Sequence, residues 1–289
     1  MNIRTRTAII LIFSLVFLFS YQIQINQRQE DEFIKTTERK KIFFSDLNLK
    51  AKAVYVFDIN KDEEIFEYNA DSQLPLASLT KIMTALIALE NIPADQYIEI
   101  LQKAILEEGD NGFSVGEKFK ALDLIDAMLI SSSNDAAAAI ALSFKDNKFL
   151  SLMNEKSKKI GLNQTIFLNP TGLDMSKDIA GAYGSAKDVA QLLKYTLENH
   201  PKLLKRTSDP ELIINSHTFR NTDRLVENIP GIIASKTGFS DLAGGNLVVV
   251  ADISLGHTLI FVVLGSTEEG RFEDMEKLYK QTLSYFNAE

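Results

Sequence analysis

The chain reads as an α/β protein of the α+β type, an antiparallel sheet with flanking helices. Three features predict this class. Strand-like and helix-like stretches fall in segregated runs, strands then many helices then strands then a helix, whereas an alternating β-α-β order would point to a parallel sheet. The late strand-like runs are rich in Val, Ile and Leu, and the last two are joined by a short turn containing Gly256. At 289 residues, 45% hydrophobic and 24% charged, the chain has apolar mass for one large core or two smaller ones.

The first 26 residues differ in kind. Arg4 and Arg6 precede an uncharged apolar run from Ala8 to Tyr21, the pattern of an export signal. No small-x-small cleavage site follows closely, since the next alanines are Ala51 and Ala53. An uncleaved membrane anchor is therefore favoured over a cleaved signal peptide, with the positive flank inside and everything after it on the extracytoplasmic face. Residues 27–45 are polar and charged and read as a stalk. The globular domain is expected over residues 46–289.

That domain begins with two β-like runs, Ala51 to Ile59 and Glu64 to Tyr68, joined by a hairpin turn of composition N-K-D-E. A helix follows from Ser78 to about Glu90 and ends before Pro93. Further helices are expected at Ala121 to Ile130, Ala136 to Phe144 and Lys148 to Ile160, the last closing at Gly161. Ser185 opens another, with Asp188 at the capping-box position. Strands return at Glu211 to Ser216, Ile232 to Lys236, Asn246 to Ile253 and Thr258 to Leu264, and an amphipathic helix closes the domain from Gly270 to Phe286.

Composition narrows the chemistry. A net charge of −8 and a pI near 5.1, with no basic patch, argue against a nucleic-acid partner. The chain has no cysteine, which excludes disulfides, thiolate nucleophiles and Cys-based zinc sites. The three histidines, His200, His217 and His257, lie far apart and outside any H-E-x-x-H pattern. Neither a metal nor a cofactor is expected.

Two serines compete as nucleophile. Residues 112–116, GFSVG, fit the G-x-S-x-G elbow, but Ser114 lacks the strand before it and the helix directly after it that the elbow requires. The alternative is Ser78-Leu79-Thr80-Lys81, an S-x-x-K pattern. Positions i and i+3 share a helix face, so the lysine amine lies beside the serine hydroxyl and can act as its base when neutral. Ser132-Ser133-Asn134, an S-x-N, falls between two helical stretches, and Lys236-Thr237-Gly238 falls at the end of a strand. Each alone also reads as an ordinary cap or turn. In this order they match the motif set of penicillin-binding proteins and class A β-lactamases.

Together with Gly161-Leu162, Asn169 to Asp174 (NPTGLD), Asn221-Thr222-Asp223 and Ala243 to Leu247, these motifs make residues 46 to 286 resemble the low-molecular-weight D-alanyl-D-alanine carboxypeptidases, the S11 serine peptidases. The resemblance implies a β-lactamase/DD-peptidase-like fold with a mainly helical subdomain beside the sheet. It also implies catalysis through an acyl-enzyme on peptidoglycan stem peptides, with β-lactams as covalent inhibitors. By it Ser78 would be the nucleophile, Lys81 the general base and Ser132 a proton relay to the leaving amine. Asn134 would orient Lys81 and the substrate amide, and Lys236 and Thr237 would contact the terminal carboxylate. Gly238 would let the substrate backbone approach, and the N–H groups of Ser78 and Phe239 would form the oxyanion hole. The extra C-terminal β-domain and terminal anchor common in the family are expected to be missing, with the N-terminal segment as tether.

Three departures stand out. Ser133 occupies a position where the family often has Gly, and Thr222-Asp223 replaces a more usual Thr-Asn. An arginine that often helps hold the substrate carboxylate is missing from the matching stretch, His257 to Ile260. A DD-endopeptidase uses the same machinery. A class A β-lactamase would need a deacylating glutamate in an E-x-x-L-N pattern, where Thr165 stands here; Glu211 to Asn215 is a near match on a probable strand. A catalytically dead wall-binding module would show degraded motifs, and these are intact.

Overall fold

Strands β1 (Ala53–Asp58) and β2 (Glu63–Tyr68) form the expected hairpin, with Val54 opposite Tyr68 and Asp58 opposite Glu63. Asp58 closes its turn by accepting from the backbone N–H groups of Asn60 and Lys61. After the short β3 (Leu74–Pro75), a single 3-10 turn (Ala77–Leu79) runs into α1 (Thr80–Asn91). Strands β4 (Tyr97–Glu99) and β5 (Lys118–Lys120) pair with each other. Then come α2 (Ala121–Ser131), α3 (Asn134–Leu142) and α4 (Phe149–Lys159). Strands β6 (Ile166–Phe167) and β7 (Ala182–Gly184) join β3 in a three-stranded sheet. Helix α5 (Ala186–Asn199) leads to the hairpin β8 (Glu211–Ile214) and β9 (His217–Arg220). The chain ends with β10 (Ile232–Ser240), β11 (Gly244–Ser254), β12 (His257–Ser266) and α6 (Gly270–Asn287).

This computed structural model describes residues 15, 17–28, 36–40, 42–106 and 112–288, in two units, 1–46 and 47–289. In the first unit, residues 17–28 and 36–40 are helical. Most of the apolar run at 8–21, expected to be an anchor, lies outside the described residues. Among the described residues no helix is long and apolar enough to cross a membrane.

The second unit is organised by a five-stranded sheet in the order β10-β11-β12-β1-β2, every pair antiparallel. The first strand of the domain pairs with the last, and β10 is left at an edge. Side chains alternate across such a sheet. Ala53, Tyr55, Val248, Val250, Ile260 and Val262 join the main core. The alternate residues Val54, Val56, Val249, Phe261 and Val263 are also buried. On that second face Phe261 meets Tyr279 of α6, ring centroids 5.6 Å apart. Both faces are covered, so the central strands read as continuous apolar runs.

Helix α1 is buried from Thr80 through Ala88 and contacts α2, α3, α4 and α5. A helix enclosed in this way is apolar nearly all round, which explains the run Ile82 to Leu89. It forms the centre of the helical region and carries Lys81 into the interior.

The strand expected at Glu211 to Ser216 is half of a hairpin, turned at Asn215 with φ +55°. The Ser185 cap forms, accepting from the Asp188 N–H at 3.1 Å. The Asp188 carboxylate serves another segment: Oδ2 accepts from Gln164 N and Thr165 Oγ1, each at 2.7 Å. The strand expected to stop at Lys236 continues to Ser240. Hydrophobicity ends at Ala234 because the next side chains are polar and buried, while the ladder continues through Lys236 opposite Val248 and Gly238 opposite Asn246.

Asp274, fully buried on α6, fixes the start of the domain to its end. It accepts from Lys50 N at 3.0 and 3.1 Å, Ala51 N at 2.9 Å and Ser266 Oγ at 2.7 Å. Removing a charged acceptor from buried donors leaves them unsatisfied, so Asp274→Ala is expected to cost about 3 kcal/mol of stability. Urea unfolding measures this; an unchanged midpoint contradicts it.

Candidate active site

Ser78 lies in the 3-10 turn just ahead of α1, slightly outside the helix expected to begin with it. The residue before it, Ala77, has φ +47°, a conformation costly for a side chain bearing Cβ. Neighbours hold it there. The Asn246 side-chain amide donates to the carbonyls of Pro75 and Leu76 at 3.0 Å each, while its oxygen accepts from Gly265 N at 2.8 Å. The loop at Gly172 presses so closely that a Cβ there would sit 1.9 Å from Ala77 O. That loop is the N-P-T-G-L-D stretch. Asn169 Oδ1 accepts from the N–H groups of Thr171 and Gly172 and from Thr171 Oγ1, and Asp174 accepts from Ser240 Oγ and Leu242 N. The motif thus braces the serine turn against the end of β10.

Lys81 is fully buried, and its amine binds acceptors from three parts of the chain. It donates to Ser78 Oγ at 2.9 Å, to Asn134 Oδ1 at 2.7 Å and to the carbonyl of Thr171 at 2.7 Å. Asn134 is placed by the α2–α3 junction. Ser132 takes a left-handed conformation, φ +60°, that ends α2, and Ser133 caps α3 by accepting from Ala136 N at 3.1 Å. The capping hydroxyl gives a physical reason for serine at 133, where glycine was noted as the more frequent residue.

Lys236 on β10 is also buried. Its amine donates to Ser132 Oγ and to the carbonyl of Thr237, both at 2.8 Å. Burial pushes it well below the ordinary lysine value, and the charges of Lys81 and Arg271 act in the same direction, opposed by Asp223. Thr237 pairs with Thr222, oxygens 2.5 Å apart. Gly238 also packs closely on the serine turn: a Cβ would meet Leu76 O at 3.0 Å and Ser78 N at 3.2 Å, so a side chain there would push the strand and the turn apart. Phe239 is 44% exposed at the outer end of the motif.

The stretch His257 to Ile260 holds no arginine, as expected, but an arginine reaches the K-T-G strand from another element. Arg271, in the first turn of α6, is buried and donates from Nη1 to the carbonyl of Gly238 at 2.8 Å. Its sequence signal was only a basic residue after Gly270.

Ser114 stands elsewhere. Residues 112–117 form a turn that leads into β5, not a helix, and Glu117 closes it by accepting from Ser114 N at 2.8 Å. Glu117 also pairs with His217 at the tip of the β8–β9 hairpin, 3.1 Å away. That hairpin leads to Thr222, so the loop joins the site's wall rather than its centre. Thr165, at the β-lactamase glutamate position, is held by Asp188, and Glu211 sits exposed on β8 opposite Arg220. His200 and His257 pair with Glu90 and Asp58. Among the described residues no group of three metal-ligating side chains occurs.

A serine and lysine in contact, an asparagine on the lysine, and a second buried lysine on a sheet edge are groups suited to acyl transfer to serine. The family model for D-alanyl-D-alanine carboxypeptidases, peptidase S11, matches residues 36–268. The D-alanyl-D-alanine carboxypeptidase DacF of Bacillus subtilis is 28% identical over 84% of this chain and 65% of its own, so the chain spans just under two thirds of that relative. A D-alanyl-D-alanine endopeptidase of Pseudomonas aeruginosa is 30% identical over 80% of this chain and 76% of its own. Penicillin-binding protein D2 of Listeria monocytogenes, in its cefotaxime-bound form, superposes with a TM-score of 0.73 at 30% identity, covering 82% of this chain and 98% of that one. The chain belongs to the D-alanyl-D-alanine carboxypeptidase family of serine peptidases, S11.

Proposed function

We propose that this chain is a penicillin-sensitive serine D-alanyl-D-alanine carboxypeptidase that trims the terminal D-alanine from peptidoglycan stem peptides. The observation that carries this reading is the Lys81 amine bound at once to Ser78 Oγ and Asn134 Oδ1, beside Lys236 on Ser132. Once Lys81 is neutral, its bond to Ser78 reverses and the hydroxyl donates to the amine. Ser78 Oγ attacks the peptide carbonyl as its proton passes to Lys81. The oxyanion is met by the N–H groups of Ser78 and Phe239. Ser132 passes its proton to the departing amine while taking the one held by Lys81, so D-alanine leaves and Lys81 is neutral again. Water, deprotonated by Lys81, then attacks the ester carbonyl, and Lys81 returns that proton to Ser78 Oγ as the acyl–oxygen bond breaks. Lys236 and Thr237 hold the substrate's terminal carboxylate, with the Arg271 charge behind the strand, and Asn134 orients the substrate amide.

The cefotaxime-bound Listeria structure supports β-lactam binding at a site of this kind. The relative named as an endopeptidase supports a second reading, in which the same residues cut cross-links between stems. The arginine-flanked apolar run at the N-terminus supports placement on the extracytoplasmic face of the membrane, anchored there, or secreted if the run is cleaved.

The chain is expected to release free D-alanine from a pentapeptide stem, with Ser78→Ala lowering the rate by about a thousandfold or more and Ser114→Ala leaving it unchanged. Turnover surviving Ser78→Ala, or lost with Ser114→Ala, overturns the assignment. Products from a cross-linked stem dimer, read by mass spectrometry, separate the two activities: cleaved dimer without release of D-alanine favours the endopeptidase.

The pH profile follows from Lys236, whose charged form holds the carboxylate. Its amine is depressed, so that form is lost as pH rises through a value below the ordinary lysine value of 10.5. The alkaline limb of kcat/KM is expected well below that pH; a profile flat up to it contradicts the role.

A further inference from the structure

The threonine of the K-T-G strand has a partner that the mechanism above does not use. Thr237 is buried, and its hydroxyl is bonded to that of Thr222, the two oxygens 2.5 Å apart. Thr222 is exposed, so its own burial contributes little to the fold. It is nevertheless held on both sides. Its N–H donates to the carbonyl of Ile130 at 3.1 Å, two residues ahead of Ser132. The side-chain amide of Asn221, just before it, donates to the carbonyls of Thr207 and Asp209 at 2.8 and 2.9 Å, and Thr207 Oγ1 accepts from Ser235 N on β10 at 2.9 Å. The segment thus joins the end of α2, which leads to Ser132, to the strand that carries Lys236, and it sets the Thr222 hydroxyl against that of Thr237.

Counting protons gives this contact a direction. Each hydroxyl has one proton to donate and lone pairs to accept with. Between the two threonines alone, either oxygen can be the donor. An ionised carboxylate only accepts. When the terminal carboxylate of a substrate meets Thr237, the one proton of that hydroxyl goes to the carboxylate and its oxygen is left to accept. Thr222 is then the donor. Two hydrogen bonds run in one direction, from Thr222 Oγ1 to Thr237 Oγ1 and from Thr237 Oγ1 to the carboxylate, and each polarises the next. Bonds that end on an ionised acceptor are the strong ones, so the second gains from the first.

We propose that Thr222 is a positioning residue for the K-T-G threonine: by donating to Thr237 Oγ1 it turns the Thr237 hydroxyl proton toward the terminal carboxylate of the substrate. This rests on the function proposed above, in which Thr237 holds that carboxylate. Thr222 acts on the carboxylate through Thr237 and not on the scissile bond. Its loss therefore weakens binding of the substrate more than it slows turnover of the bound substrate.

The test uses the full chain with Thr222→Val, which keeps the shape and removes the hydroxyl, and Thr222→Ser, which retains a hydroxyl. Release of D-alanine from a pentapeptide stem is measured across substrate concentration, with thermal melting to confirm folding. The expected result is a KM raised about tenfold in Thr222→Val with kcat within roughly twofold, and a KM within about threefold of the wild type in Thr222→Ser. In a Thr237→Val background the change Thr222→Val is expected to have no further effect on kcat/KM, because the hydroxyl it acts through is gone. An unchanged KM, a fall confined to kcat, a serine variant no better than the valine one, or an equal loss in the Thr237→Val background overturns the proposal and leaves the proposed function standing. A wild-type chain that releases no D-alanine overturns that function, and the proposal with it.

Discussion

The amine of Lys81 binds Ser78, Asn134 and the carbonyl of Thr171, three acceptors separated in the chain by 53 and 90 residues from the lysine itself in the last two cases. Each acceptor belongs to a different structural piece: the 3-10 turn before α1, the start of α3, and the loop between β6 and β7. A buried amine must have its hydrogens satisfied. The contact therefore constrains how the helical region closes around α1, and the chemistry and the fold share one set of bonds.

The sheet supplies the other half of the site. Because β1 pairs with β12, an edge position falls to β10, and the proposed function has substrate backbone adding along its K-T-G segment. Gly238 keeps that strand against the serine turn, and Asn246 on the neighbouring β11 ties the same turn to β12 through Gly265. Behind them α6 covers the second apolar face and delivers Arg271 to the Gly238 carbonyl. The ordinary demand of a two-faced sheet for a covering helix thus places a cation beside the binding strand.

The coarse run of strands, helices, strands and a closing helix, the β1–β2 and β11–β12 hairpins and the helix after Ser78 were legible in the sequence, because each rests on local periodicity and turn chemistry; the short strands β3 to β7, two or three residues each, carry too little pattern to be read. So were Ser78, Lys81, Ser132, Asn134 and Lys236 as a set, since their motifs are short and ordered; the structure bonds Lys81 to Ser78 and Asn134, and Lys236 to Ser132. The end of β10 was not legible, because its last residues are polar and their burial depends on partners far away in sequence. Arg271 was missed for a similar reason: nothing around Gly270 announces that the guanidinium reaches another element. The β8–β9 hairpin was read as one strand because its turn residue, Asn215, is an asparagine in a left-handed conformation rather than a glycine.

The claim on which the account turns is that the acyl group is carried by the serine beside Lys81. Intact-protein mass spectrometry after incubation with benzylpenicillin, followed by tryptic mapping, tests this most directly. The account predicts one adduct, in the peptide of residues 62–81, with fragmentation placing it on Ser78. An adduct in the peptide of residues 104–118, which holds Ser114, or no adduct at all, would contradict it.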